Sequence, residues 1–396
     1  MRVYVGMSGG VDSSLTAAVL KAQGFAVTGV YMKNWTQDLP GMKCPWADDL
    51  ADAKRVAVQL DIPFKVFDFQ KQYKQQVVDY MIAEYKAGRT PNPDVMCNQQ
   101  IKFDLFLKTA LADGADMIAT GHYARVSNPK TSLANDNPQN LEALSGAEGG
   151  YPSRTQHFSA STTGRSLERR GSGGGYEEVQ LHTGLDKAKD QSYFLYRVTS
   201  EALAKTLLPI GELTKTQVRA KAAELGLVTA DKKDSQGICF VGSVGIKEFL
   251  QQYVTAEPGN IINKQTGQVI GQHDGAIFYT IGQRHGLHVG GGLPYYVVGK
   301  NMAANELFVT TDLNDETLWR TNVTLNQLHW INQPPQVGKT YHVRMRYRAA
   351  LINATIESLT NDQAILTLAE PERAITAGQS AVLYDDARVV GGGVVV

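Results

Sequence analysis

Ser8, Gly9, Gly10, Asp12, Ser13 and Ser14 crowd one turn between an apolar run, Val3 to Val5, and a helical pattern. That pattern puts Leu15, Ala18, Val19 and Ala22 on one face and stops at Gly24. Glycines let backbone N–H groups approach an anion with no Cβ in the way, and a helix N-terminus adds partial positive charge. The chemistry implied is phosphate binding. No Gly-Lys-Ser/Thr closes the turn, so it is not a kinase-type P-loop. The alternative is a glycine-rich strand–helix turn with no ligand.

Thiols form the second group. Cys97 follows the rigid stretch Thr90-Pro-Asn-Pro-Asp94, shortly before a helical pattern whose N-terminus would lower a thiol pKa, with Asn98 as its predicted cap and Lys102 nearby. Its alternative is a buried cap cysteine. Cys239 follows Lys232, Lys233 and Asp234 in a glycine-containing loop, or else serves as a small apolar strand residue. Cys44, in Lys43-Cys-Pro45, has nothing near it that would activate it. None of the three has Cys-x-x-Cys spacing, which argues against a structural zinc or iron–sulfur site, and three cysteines make no disulfide framework.

The elements around these residues alternate. Strands are predicted at Val3–Val5, Ala26–Met32, Phe64–Phe67 and Met117–Thr120, and helices at Asp49–Leu60, Gln72–Tyr85 and Ile101–Leu111. Strands separated by helices imply a doubly wound parallel sheet, with ligands beyond the carboxyl ends of its strands. Met7–Ser14, Met32–Trp35 and Gly121–Tyr123 occupy such ends. Residues 128–175 are rich in Ser, Gly, Thr, Asn, Pro and Arg and read as a disordered insertion, or else as a nucleic-acid-binding arm using Arg154, Arg165, Arg169 and Arg170. Helices are expected at Ser200–Leu207 and Lys215–Leu225. Past a mixed stretch the chain reads as all-β, with Val343, Met345 and Tyr347 alternating against His342, Arg344, Arg346 and Arg348. Three domains are expected: 1–198 α/β, 199–292 small α+β, and 293–396 a β-barrel.

With 396 residues, 43 % of them hydrophobic, the chain can fill several cores. Thirty-nine basic and 39 acidic residues give zero net charge, so any basic surface for nucleic acid must be local. No apolar run has the length of a membrane span, and Met1 leads straight into a strand without a signal-peptide pattern, so a cytoplasmic location is expected.

Ser-Gly-Gly-Val-Asp-Ser resembles the pyrophosphate loop of the ATP pyrophosphatase class, whose members split ATP between its α and β phosphates. With two distant cysteines, that loop suggests sulfur chemistry. From end to end the chain resembles the bacterial tRNA-specific 2-thiouridylases. The resemblance rests on Gly6–Ser13, Asn34-Trp35, Lys86–Asp94, Cys97-Asn98, Ile101–Phe103, Ala119–Tyr123, Lys189–Tyr196, Lys233–Phe240, Tyr279–Arg284, Arg346–Arg348 and Gly378–Ala381. The family's short connection is replaced here by the longer segment 128–175.

The resemblance implies an adenine nucleotide alpha hydrolase-like first domain. ATP would be held by Gly6, Met7, Ser8, Gly9, Gly10, Val11, Asp12, Ser13, Met32 and Gly121, with Asp12 also catalytic. Cys97 would be the nucleophile and Cys239 the persulfide carrier, the two forming a transient disulfide. Asn92, Pro93 and Asp94 would meet the target base. His122, Lys189, Asp190, Gln191, Arg346, Tyr347 and Gln379 would touch tRNA. Mg2+ would accompany ATP, and a persulfide carrier or cysteine desulfurase would donate sulfur. The rival readings are an amide-forming enzyme with the same loop, which needs no cysteine pair, and a non-catalytic tRNA-binding protein.

Overall fold

The computed structural model describes residues 1–38, 44–127, 178–233, 245–290 and 292–396. β1 (Arg2–Gly6) sits mid-sheet because it is apolar on both faces. Val3 and Val5 pack with one helix layer, Tyr4 with the other. Burying a side chain such as Val3 contributes roughly 1.5–3 kcal/mol. β2 (Ala26–Lys33), β3 (Phe64–Asp68), β4 (Met117–Ala119) and a later β7 (Thr206–Leu207) complete a parallel sheet of order β3-β2-β1-β4-β7. One face carries α1 (Val11–Ala22) and α2 (Trp46–Gln59). The other carries α3, a run over 70–86 with a π turn at Lys74–Val78, and α4, a run over 93–112 wound in π fashion at Cys97–Leu105.

Short α5 (Ser200–Leu203) leads into β7, so the helix expected over Ser200–Leu207 stops after Leu203 and its last two residues are strand. α6 (Lys215–Glu224) starts at a full capping box between Thr214 and Gln217 and returns to the α1 layer through Val218 and Ala222. The parallel sheet therefore runs past the division expected at 198.

After α7 (Ile246–Leu250), β8 (Gly259–Asn263), β9 (Val269–His273), β10 (Tyr296–Asn301) and β11 (Glu306–Thr310) form a second sheet of order β10-β11-β8-β9. Since β10 and β11 belong to it, the division expected at 292 also falls early.

The barrel consists of β12 (Trp319–Trp330), β13 (Thr340–Arg344), β14 (Ile352–Leu359), β15 (Gln363–Arg373), β16 (Ser380–Asp385) and β17 (Arg388–Val395), closed by pairing of β12 with β17. Its interior holds Val323, Leu325, Val343, Ile356, Leu366 and Leu383. The hairpin β5 (Ala124–Ser127) and β6 (Gln180–Thr183) continues this sheet through Arg388 opposite His182, stitching the first domain to the barrel.

The alternation expected to run to Arg348 ends at Arg344. Arg348 has a left-handed backbone (φ 63°), and Tyr347 turns onto Phe194, 4.4 Å between ring centres. The 128–175 insertion lies outside the described residues. Among the described residues no helix is long and apolar enough to cross a membrane.

Candidate active site

The carboxyl ends of β1, β2 and β4 bring the loop, Met32 and Gly121 together. Gly10 precedes α1 with extended backbone, and no side chain caps the helix. The first-turn N–H groups thus carry the helix's positive end without a side-chain acceptor. Gly9 has φ 75°, and a Cβ there would strike the Asp49 carbonyl at the start of α2. A Cβ at Gly121 would lie 2.8 Å from both the carbonyl carbon of Asp12 and the amide nitrogen of Ser13. Glycine is required at both places because backbone packs on backbone. The Ser13 hydroxyl accepts from the Ser8 amide (3.1 Å) and donates to Gly10 O (3.1 Å), so the loop's own hydroxyls hold its shape. Met7 and Val11 are buried, which leaves only their backbone to face a ligand.

Asp12 at the second position of α1 is the loop's charged centre. Lys215 of α6 donates to both of its oxygens (2.7 and 2.9 Å), and the Tyr123 hydroxyl donates to one (2.7 Å). Tyr123 lies in a strand-end segment where a ligand was expected, but its pairing with Asp12, 111 positions away, was not foreseen. Lys215, 203 positions away, was missed altogether, because no local pattern announces it.

The Cys97 segment differs from expectation in one respect. Its helix begins at Pro93, not Ile101, and the cap is Asn92, whose Oδ1 accepts from the Val95 amide (3.4 Å). Asn98 lies inside the helix, where its amide donates to Asp94 O (3.0 Å). Asn92 followed by Pro93 is a normal helix start, a signal that was present in the sequence. Cys97 therefore sits one turn inside α4. At 1 % exposure it is more deeply buried than Cys44 at 8 %, so neither thiol is open to solvent. Burial pushes the Cys44 thiol pKa up. Cys239 and the disulfide expected of it lie outside the described residues.

Of the residues assigned to tRNA, Lys189, Asp190 and Tyr347 line one recess with Lys187, Arg344 and Arg348, about 460 Å³ in volume. Asp190 is buried. It accepts from the Gly184 and Ser192 amides and the Ser192 hydroxyl, and pairs with Arg344 at 2.9 Å. Its carboxylate builds the recess floor. Gln191 accepts from the Tyr123 amide (3.0 Å), fixing the strand end after Gly121. His122 is buried, bonded through Nδ1 to the Thr120 hydroxyl (2.8 Å), and burial beside Lys102 drives its pKa well below 6.5. Arg346 is exposed, 3.8 Å from Glu372. Gln379 donates to Thr90 O at 2.9 Å. Among the described residues no cluster of three His, Cys, Asp or Glu side chains could hold a metal.

A parallel sheet with a glycine–serine loop at its switch point, followed by two β domains, defines the class. Its first part matches the family model described as "tRNA methyl transferase HUP domain" over residues 1–243. The "PRC-barrel domain" of the same family matches 247–311, and an "Aminomethyltransferase beta-barrel domain" matches 320–395. Relatives named "tRNA-specific 2-thiouridylase MnmA" align along the full chain. That of Lysinibacillus sphaericus is 41 % identical, covering 100 % of this chain and 94 % of its own. That of Aromatoleum aromaticum is 43 % identical, covering 100 % and 97 %. The Haemophilus ducreyi protein is 42 % identical, covering 100 % and 92 %. This chain belongs to the tRNA-specific 2-thiouridylase family.

Proposed function

We propose that this protein is an ATP-dependent tRNA sulfurtransferase that converts the wobble uridine (position 34) to 2-thiouridine, with AMP and pyrophosphate as co-products. What carries the reading is the loop of Ser8–Ser13 wrapped around an uncapped helix start, in a chain alignable end to end with relatives of that name. ATP phosphates would lie on the backbone N–H groups of Ser8 to Ser13. Gly6, Met32 and Gly121 would border the nucleotide. Lys215, held by Asp12, would supply positive charge beside the phosphates as pyrophosphate leaves. Mg2+ would be held mainly by the phosphates, with Asp12 the loop's one carboxylate.

The uridine C2 oxygen attacks the α-phosphorus and pyrophosphate departs. The terminal sulfur of a Cys239 persulfide then attacks C2, and AMP leaves. The Cys97 thiolate attacks the Cys239 sulfur, forming a Cys97–Cys239 disulfide and releasing the thiolated base; an external reductant later restores both thiols. Asn92, Pro93 and Asp94 would border the base, and a sulfur-donor protein would reload Cys239. Lys189, Arg346 and Tyr347 suit tRNA as phosphate partners and a stacking ring.

The test is nucleoside mass analysis of tRNA incubated with the enzyme, ATP, Mg2+ and a persulfide-sulfur donor, a cysteine desulfurase with cysteine. 2-Thiouridine dependent on both ATP and Cys97 is expected. ATP cleavage to AMP and pyrophosphate that needs ammonia or an amine, yields no 2-thiouridine and is unaffected by a double Cys97→Ser, Cys239→Ser change would favour the amide-forming reading. Absence of tRNA-dependent pyrophosphate release would favour simple tRNA binding.

A further inference from the structure

All three domains meet at Thr90, two residues before the Asn92 cap of the Cys97 helix. The Thr90 amide donates to Ala377 O (2.9 Å), its carbonyl accepts from the Gln379 side-chain amide (2.9 Å), and its hydroxyl shares a hydrogen bond with Thr280 of the central domain (3.2 Å). Gly378 fits between them. Its φ is 92°, and a Cβ there would lie 2.8 Å from the Thr90 amide nitrogen and 2.9 Å from Arg89 Cβ. The Gly378 turn is itself fixed to the barrel: its amide donates to Val395 O (2.9 Å), and the Val395 amide donates to Gln379 O (2.8 Å). On the other side, Gly88 (φ 77°) packs on Met302 of the central domain, with only 2.7 Å between a Cβ there and the Met302 Cγ. Residues 88–90 are thus gripped by two domains that contribute no residue to the nucleotide loop.

We propose that Gly378 and Gln379 are positioning residues: they hold the Asn92–Cys97 segment through Thr90, so that Cys97 reaches its reactive geometry only while the barrel is docked. The inference rests on the sulfurtransferase reading for the reaction, but not for the geometry. Gln379 acts through its amide nitrogen on a backbone carbonyl, and Gly378 is buried with no side chain to offer RNA. Loosening the junction would free the backbone ahead of α4 and expose a thiol that is now almost wholly covered.

The test uses the full chain and two variants, Gly378→Ala and Gln379→Ala, with circular dichroism and thermal unfolding as folding controls. Three quantities are read: iodoacetamide labelling of Cys97 relative to Cys44 without ATP or tRNA, tRNA affinity, and the single-turnover thiolation rate at saturating tRNA. Labelling of Cys97 relative to Cys44 should rise about fivefold or more, and the saturating rate should fall about tenfold, in both variants. Affinity of Gly378→Ala for tRNA should stay within about twofold. If Gly378→Ala does not fold, Gln379→Ala decides by the same ratio and rate. Unchanged labelling in folded variants, or a loss confined to tRNA affinity, overturns the proposal and makes Gln379 a plain tRNA contact. If the parent makes no 2-thiouridine, the functional reading fails, and the labelling ratio alone still settles the junction.

Discussion

Asp12 is shared between Lys215 and Tyr123, and this gives the loop a poised cation. Once a phosphate enters, Lys215 can divide its three donors between carboxylate and ligand with little movement. Lys215→Met should therefore cut tRNA-dependent pyrophosphate release by roughly a hundred- to a thousandfold, the scale expected for one lost charge-stabilising donor. Asp12→Ala should abolish release, with circular dichroism unchanged in both variants. Parent-like release in either one removes this role. Cys44→Ser should thiolate at the parent rate, since the Cys44 thiol faces the Trp35 carbonyl in an apolar cluster and not the loop. The loop and Cys97 were legible in the sequence because their signals are local: glycines at a strand end, and prolines before a thiol. Lys215 was not, because only the return of α6 onto the α1 layer brings it there.

At the scale of elements, the first domain is fastened to the barrel through buried polar contacts. Tyr193 donates to Ser380 O (2.8 Å), and Asp190 pairs with Arg344 of β13. Arg344→Met would strand a buried carboxylate and should cost about 3 kcal/mol, read as a lower thermal midpoint, because breaking one half of a buried pair leaves its charge uncompensated. A midpoint unchanged by that substitution would mean the pair adds nothing. The hairpin register sets Ser127 opposite Gln180, so the chain ends flanking the insertion are neighbours. Replacing residues 128–175 by a short Gly/Ser linker should leave thermal stability nearly unchanged, since loop closure depends weakly on length. A selective loss of tRNA affinity would instead support the basic-arm reading. The α/β half was readable from its alternating pattern. β17 was not, because Gly391-Gly-Gly393 looks like a turn. In the barrel those glycines are demanded by crowding: side chains there would strike the carbonyls of His329, Ala381 and Asn326 on the neighbouring strands.

Over the whole molecule, His122, His182, His273 and His329 all have pKa values lowered chiefly by burial. With folded values below 6.5, the unfolded chain binds these protons first. Their neutral forms favour the fold above that pH, and stability is lost as pH falls below about 6.5. Thermal midpoints should thus decline from pH 7 to 5, and less steeply in His122→Asn. A flat profile would contradict the burial. Because net charge is zero, tRNA affinity should depend on a few local cations, and Arg346→Ala should reduce the slope of log affinity against log salt by about one. The barrel's closing strand carries a different consequence, one of timing. β17 lies against β16 on one edge and against β12 and β6 on the other. Between His182 of β6 and its partner Arg388 lie about 200 residues, roughly 10–40 s of synthesis at ribosomal speeds. Throughout that interval the β5–β6 hairpin waits with an open edge on the growing chain. The edge strand is four residues long and mostly polar, Gln-Leu-His-Thr, which is the form least inviting to a stray strand while its proper neighbour is still being made.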